Sequence, residues 1–156
     1  MIARNKILFR FVQGVGQALS PLRILIVDDF AMWRRQLCEV LQSRPEWQVI
    51  AEASDGLEAV EKAEGLKPDL ILLDIGLPKL NGIEAARRIQ QLSPSSKIIF
   101  LSQNNSLDIV TAALSSGARG YVRKTDVKRE LLPAMDAVLS GEQFVSSALR
   151  GRETQF

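Results

Sequence analysis

The stretch Asp69-Leu-Ile-Leu-Leu-Asp74-Ile-Gly-Leu-Pro78-Lys-Leu-Asn81-Gly82 decides how this chain reads, because a wholly apolar run in it ends abruptly at a carboxylate. Leu70 to Leu73 show no polar alternation, which suits a strand covered on both faces, as in a parallel sheet packed between helices. Asp74 then stands at the carboxyl end of a central strand. In open α/β sheets ligands bind at that edge, where successive connections leave for opposite faces and open a crevice. Pro78 and Asn81-Gly82 force a loop before the next helix, so Asp74 is kept at a mouth rather than inside a helix.

Outward from this stretch the pattern is regular. Apolar runs of strand length occur at Ile24 to Val27, Val49 to Ala53, Leu70 to Leu73, Ile98 to Leu101 and Gly120 to Val122. Between and after them lie helical stripes, such as Trp33, Leu37, Val40 and Leu41, or Leu131, Leu132, Met135, Val138 and Leu139. Five β-α units in succession predict a doubly wound α/β fold: a five-stranded parallel sheet with right-handed crossovers and helices on both faces. Asn81 and Asn105 are expected to cap helices, Ser93-Pro94 and Gly117 to end them, and Asp126 to begin the fifth. The body is expected over residues 23–141, with a basic extension at 1–22 and a short polar tail at 142–156. In the extension Ile7, Phe11, Val15 and Leu19 recur at helical spacing. An amphipathic helix, docked on the body or on a second copy in a homodimer, competes there with a loose extension weakened by Gly14 and Gly16.

Composition removes several functions. The 156 residues, 46% hydrophobic and 24% charged, are enough for one domain with a real core. No apolar run approaches the ~20 residues of a membrane span, and no secretory signal is evident, so a cytoplasmic protein without a membrane partner is expected. Histidine is absent, which excludes a Ser-His-Asp triad and His-ligated zinc. The single cysteine, Cys38, falls in a helical apolar pattern and reads as core. Arg4, Lys6, Arg10 and Arg23 precede the first acidic residue. With those four set aside, 16 of the 20 basic residues face 18 acidic ones, and net charge lends no support to nucleic-acid binding by this chain.

The ends of the apolar runs carry the chemistry. The first ends in Asp28-Asp29, the third in Asp74, the fourth in Ser102 and the fifth at Lys124. In a parallel sheet these ends share one edge, so three carboxylates, a hydroxyl and an ammonium converge. Carboxylates that close repel one another unless a cation sits among them. Mg²⁺ is the natural partner, since it takes one or two carboxylates and keeps positions for water and phosphate. Lysine and serine suit phosphoryl oxygens, and a carboxylate beside them can attack phosphorus to form an acyl phosphate.

Asp28-Asp29, the Leu-Leu-Asp74-Ile-Gly-Leu-Pro-Lys-Leu-Asn-Gly82 run, Phe-Leu-Ser102 and Gly-Ala-Arg-Gly-Tyr121-Val-Arg-Lys124 resemble the receiver domain of two-component response regulators. The resemblance covers about Arg23 to Gly141. It implies a flavodoxin-like (βα)5 fold with strand order 2-1-3-4-5. It also implies Asp74 as phosphoacceptor, a Mg²⁺ site of Asp74, Asp29 as direct ligand, the Gly76 carbonyl and Asp28 acting largely through water, and Ser102 and Lys124 on the phosphoryl oxygens. Ser102 and Tyr121 would form a switch acting on the surface of the fourth helix, fifth strand and fifth helix. The implied partner is a sensor histidine kinase or phosphotransfer protein, and the chain is then a phosphoacceptor rather than a turnover enzyme. The rival readings are a phosphorylation-independent interaction domain and a Mg²⁺ phosphohydrolase. Two departures stand out: Gln103 where the family has Ala or Gly, and Thr125 where it has proline. The tail wording, Leu-Ser-Gly-Glu-Gln-Phe-Val-Ser, is closest to receivers joined to a LuxR-type helix-turn-helix domain.

Overall fold

The computed structural model describes residues 20–153, with side chains to Arg150. The expectation for the extension at Ile7 to Leu19 lies outside these residues. Six parallel strands, β1 (Leu22–Val27), β2 (Trp47–Ala53), β3 (Leu70–Leu73), β4 (Lys97–Ser102), β5 (Gly120–Arg123) and β6 (Phe144–Val145), form one sheet in the order β2-β1-β3-β4-β5-β6. The helices are α1 (Ala31–Leu41), α2 (Gly56–Leu66), α3 (Gly82–Leu92), α4 (Leu107–Ser115), α5 (Val127–Leu139) and α6 (Ser147–Glu153).

The uninterrupted apolar runs serve two cores at once. Leu25, Val27, Ile71, Leu73, Ile98, Phe100 and Tyr121 pack on one face with Ala59, Ala86, Ile89 and Val110. Their alternates, Ile24, Ile26, Leu70, Leu72, Ile99, Leu101 and Val122, pack on the other with Leu37, Leu41, Leu131, Met135 and Val138. A period of two along each strand sends neighbours to opposite faces, and here both faces are dry.

Most boundaries follow the expected punctuation. Asn81 accepts a hydrogen bond from the Glu84 N–H at 3.0 Å and caps α3, and Ser93 ends that helix. One expectation is corrected. Ser106, not Asn105, caps α4, because the Asn104 side chain accepts the Ser106 N–H at 2.9 Å and that turn delays the helix start by one residue. Asp126 begins α5 as expected, standing at its N-cap, although its carboxylate is taken by Arg123 and Arg129 and makes no capping bond.

The sheet also has one strand more than the five expected, and the added strand comes from the stretch read as a polar tail. Gly120 and Tyr121 pair with Phe144 and Val145. Ser146 N–H donates to the Tyr121 carbonyl at 2.9 Å, and Arg123 N–H to the Ser146 hydroxyl at 2.9 Å. Val145 and Leu149 are buried in the same core as Tyr121. Glu130 on α5 accepts from the Ser147 hydroxyl at 2.7 Å and is also approached by the Ser147 N–H. Two buried apolar side chains, Val145 and Leu149, together with the buried Ser146 are enough to seat a segment that looks polar on average. Among the described residues no helix is long and apolar enough to cross a membrane.

Candidate functional site

Each strand that reaches the carboxyl edge delivers a polar residue there because its own side chains are consumed by the two cores. Asp28, at the end of β1, is 1% exposed, and its carboxylate accepts the Phe30 N–H at 2.9 Å, which shapes the turn into α1. Asp29, next in that turn, is exposed. Asp74 follows β3, its N–H bonded to the Val27 carbonyl and its carboxylate held by the Ile75 N–H at 2.8 Å. Lys124 follows β5 and opens a 3-10 turn, Lys124–Asp126, that leads into α5.

The structure brings these residues together. One carboxylate oxygen from each of Asp28, Asp29 and Asp74 lies within 4.8 Å of the others. The Lys124 ammonium is 2.6 Å from Asp28 and 3.3 Å from Asp74. Asp28, Asp29, Asp74, Gly76, Ser102 and Lys124 line one open cleft of about 450 Å³. That is room for a hydrated ion and a phosphoryl group, at the small end of the range for organic ligands. Gln103 stands exposed on the same rim. A Cβ on Gly76 would meet nothing within 4 Å, so sterics alone do not demand glycine there.

Tyr121 lies behind the cleft rather than in it. It is fully buried, and its hydroxyl donates to the Asn104 carbonyl at 2.5 Å, while the Asn104 N–H donates to the Ser102 hydroxyl at 3.1 Å. Ser102 and Tyr121 are therefore joined through one loop residue. Burial pushes the Tyr121 phenol above its ordinary pKa, against the effect of the Ser102 hydroxyl.

Sequence reading missed Arg34. Its guanidinium donates to the Asp28 carbonyl at 2.6 Å and to Glu52 on β2 at 2.8 Å, pinning the turn that carries both aspartates. On α1, Arg34 reads as an ordinary solvated charge, and only the packing of α1 beside β2 reveals its target.

The donor set is oxygen only, which suits a hard divalent cation of the Mg²⁺ kind. Desolvation by burial raises the Asp74 pKa above its ordinary value; Lys124 opposes this and the charge of Asp28 adds to it. A group whose folded pKa exceeds its unfolded value stabilises the fold below the unfolded pKa and loses that contribution as pH rises through the folded one. At neutral pH the Asp74 carboxylate is therefore a cost. Asp74→Asn, without metal, is expected to melt higher than wild type at pH 7 to 8. The gain should shrink as pH falls and wild-type Asp74 takes up its proton; a lower melting temperature at pH 8 would contradict this.

A doubly wound parallel sheet with an acid cluster and a lysine at its carboxyl edge defines a class of α/β module whose polar residues gather at one rim. The family model for the response regulator receiver domain matches residues 24–136, and the chain belongs to that family, the receiver domains of two-component response regulators. It is 38% identical over 130 residues to the nitrate/nitrite response regulator protein NarL of Escherichia coli, covering 83% of this chain and 60% of that one. Among solved structures, a LuxR-family two-component response regulator from Aurantimonas sp. SI85-9A1 matches with a TM-score of 0.79 and 33% identity, over 83% of this chain and 93% of that one. The CheY of a CheX-CheY-BeF3-Mg²⁺ complex from Borrelia burgdorferi matches with a TM-score of 0.72 and 29% identity, over 76% and 90%. The chain spans about three-fifths of the length of the curated relatives it matches first.

Proposed function

We propose that this chain accepts a phosphoryl group on Asp74 from a sensor histidine kinase or a phosphotransfer protein. The observation that carries the reading is the meeting of the Asp28, Asp29 and Asp74 oxygens within 4.8 Å with Lys124 3.3 Å from Asp74. Asp28, Asp29, Asp74 and the Gly76 carbonyl would hold Mg²⁺, which supplies charge neutralisation for the transferring phosphoryl oxygens when bound. The Asp74 carboxylate forms the new P–O bond as the P–N bond to the donor's histidine breaks, and the released imidazole nitrogen keeps the electron pair. Burial makes Asp74 more basic than a solvated aspartate, which favours its attack. Lys124 offers its ammonium, and Ser102 its hydroxyl proton, to phosphoryl oxygens in the shared cleft.

Movement of Ser102 toward that phosphoryl group is transmitted to the Asn104 loop and so to the Tyr121 hydroxyl. Signalling then uses the face built by α4, β5 and α5, of which β6 and α6 form part here. The magnesium and beryllofluoride of the Borrelia CheX-CheY complex fit this reading.

Incubation with Mg²⁺ and a small phosphodonor is expected to give a labile adduct with a mass gain of one phosphoryl group. Asp74→Asn should abolish it, and chelation of the metal should suppress it. Labelling that survives the substitution would place the acceptor elsewhere and defeat the proposal.

A further inference from the structure

Lys124 stands between two hollows. On one side is the acidic cleft; on the other a groove between α1 and the start of α5, whose lining includes Trp33, Gln36, Glu39, Thr125 and Lys128. Lys124 belongs to both walls, whereas Asp28 and Asp74 line only the cleft and Trp33 only the groove. The ammonium is 5.2 Å from the centroid of the Trp33 ring and 2.6 Å from Asp28. A cation at that distance over an indole face is attracted by the ring quadrupole, and tryptophan is the strongest such partner.

Trp33 occupies this place at a cost. Its indole N–H is buried with no hydrogen-bond partner among the described residues, a penalty that an aliphatic side chain would avoid. The asset of Trp33 here is its ring face.

The Asp28 carboxylate is claimed twice, since its oxygens hold Lys124 and also form part of the acid cluster. A divalent cation drawing on Asp28 would weaken its hold on the ammonium. The ring face of Trp33 carries no net charge and does not enter that competition. Without it, the ammonium would keep at the cleft only its 3.3 Å contact with Asp74, and the groove, lined in part by Glu39, lies beside it.

We propose that Trp33 is a positioning residue for Lys124, its ring face keeping the ammonium at the cleft when Asp28 is drawn onto a cation. The proposal rests on the phosphoryl-acceptor reading above and adds to it a residue that binds neither metal nor phosphate.

Three measurements on the full chain test it, with Trp33→Leu and Trp33→Phe compared and Trp33→Met replacing the leucine variant if that one fails to fold. In ligand-free protein the Lys124 ε-methylene protons should show an upfield ring-current shift that is kept in Trp33→Phe and lost in Trp33→Leu. Calorimetric binding of beryllofluoride in saturating Mg²⁺ should weaken about fivefold in Trp33→Leu and less than about twofold in Trp33→Phe. Mg²⁺ affinity alone should not weaken in either variant. Absence of the ring-current shift, equal losses in the two variants, or a parallel loss of Mg²⁺ affinity would each overturn the positioning role. Wild-type protein that binds no beryllofluoride at all refutes the phosphoryl-acceptor reading, and the positioning role falls with it. Beryllofluoride binding with no difference between variants refutes the positioning role alone.

Discussion

Gly82→Ala is expected to lower stability by about 3 kcal/mol, enough to drop the melting temperature by about 10 °C. A Cβ built on Gly82 would lie 1.9 Å from the Asp74 carbonyl oxygen and 2.8 Å from the Ile75 Cα. Both are main-chain atoms of the loop that begins at Asp74, so no side-chain rotation relieves the contact. The loop has little slack, because the Gly82 N–H is already bonded to the Ile75 carbonyl at 2.7 Å. Alanine would gain at most about 1 kcal/mol as a better helix former, and less at the first residue of α3. The clash therefore wins. The displacement falls on Asp74 itself, and phosphoryl labelling should fall alongside stability. Gly65, inside α2, supplies the control, since a Cβ there meets nothing within 4 Å and alanine should stabilise. Urea denaturation of both variants checks the pair; Gly82→Ala unfolding with the wild type would contradict the loop geometry.

Leu149→Ala is expected to cost a similar amount, about 3 kcal/mol, although it lies in the segment that reads as a polar tail. Leu149 is 2% exposed and shares its core with Tyr121, Val145 and Val110. The cavity it leaves opens beside β5, where the surrounding strands cannot close in. Leu92, at the end of α3, is 37% exposed, and its truncation should cost less than about 0.5 kcal/mol. A Leu149 variant as stable as the Leu92 variant would show β6 and α6 to be unattached in solution.

The parts of the fold that were legible share a physical cause. Leu70 to Leu73 announce a strand buried on both faces because all four side chains find apolar partners, so local pattern and global packing demand the same residues. Asp28, Asp74 and Lys124 are legible as a site because parallel topology sends every strand end to one edge, and their convergence needs no knowledge of side-chain conformations. Ser106 was not legible as the α4 cap, since Asn104, Asn105 and Ser106 are all competent caps and the choice falls to a side-chain turn at Asn104. Arg34 was hidden for a different reason. Its partner is a main-chain carbonyl six residues away that becomes available only when α1 docks beside β2.

Periodicity and the polar residues that end each apolar run determined by themselves the parallel α/β architecture, the edge on which the site lies and the acids that build it. Those features follow from chain-local rules, because hydrophobic burial and strand direction act on neighbours in sequence. Tertiary structure alone decided that Val145 and Leu149 extend the sheet past β5, that Tyr121 reaches Ser102 through Asn104, and that Lys124 rests against Trp33. Each of these contacts joins residues from elements that meet only after the sheet has closed, and its energy depends on distances that no local pattern encodes.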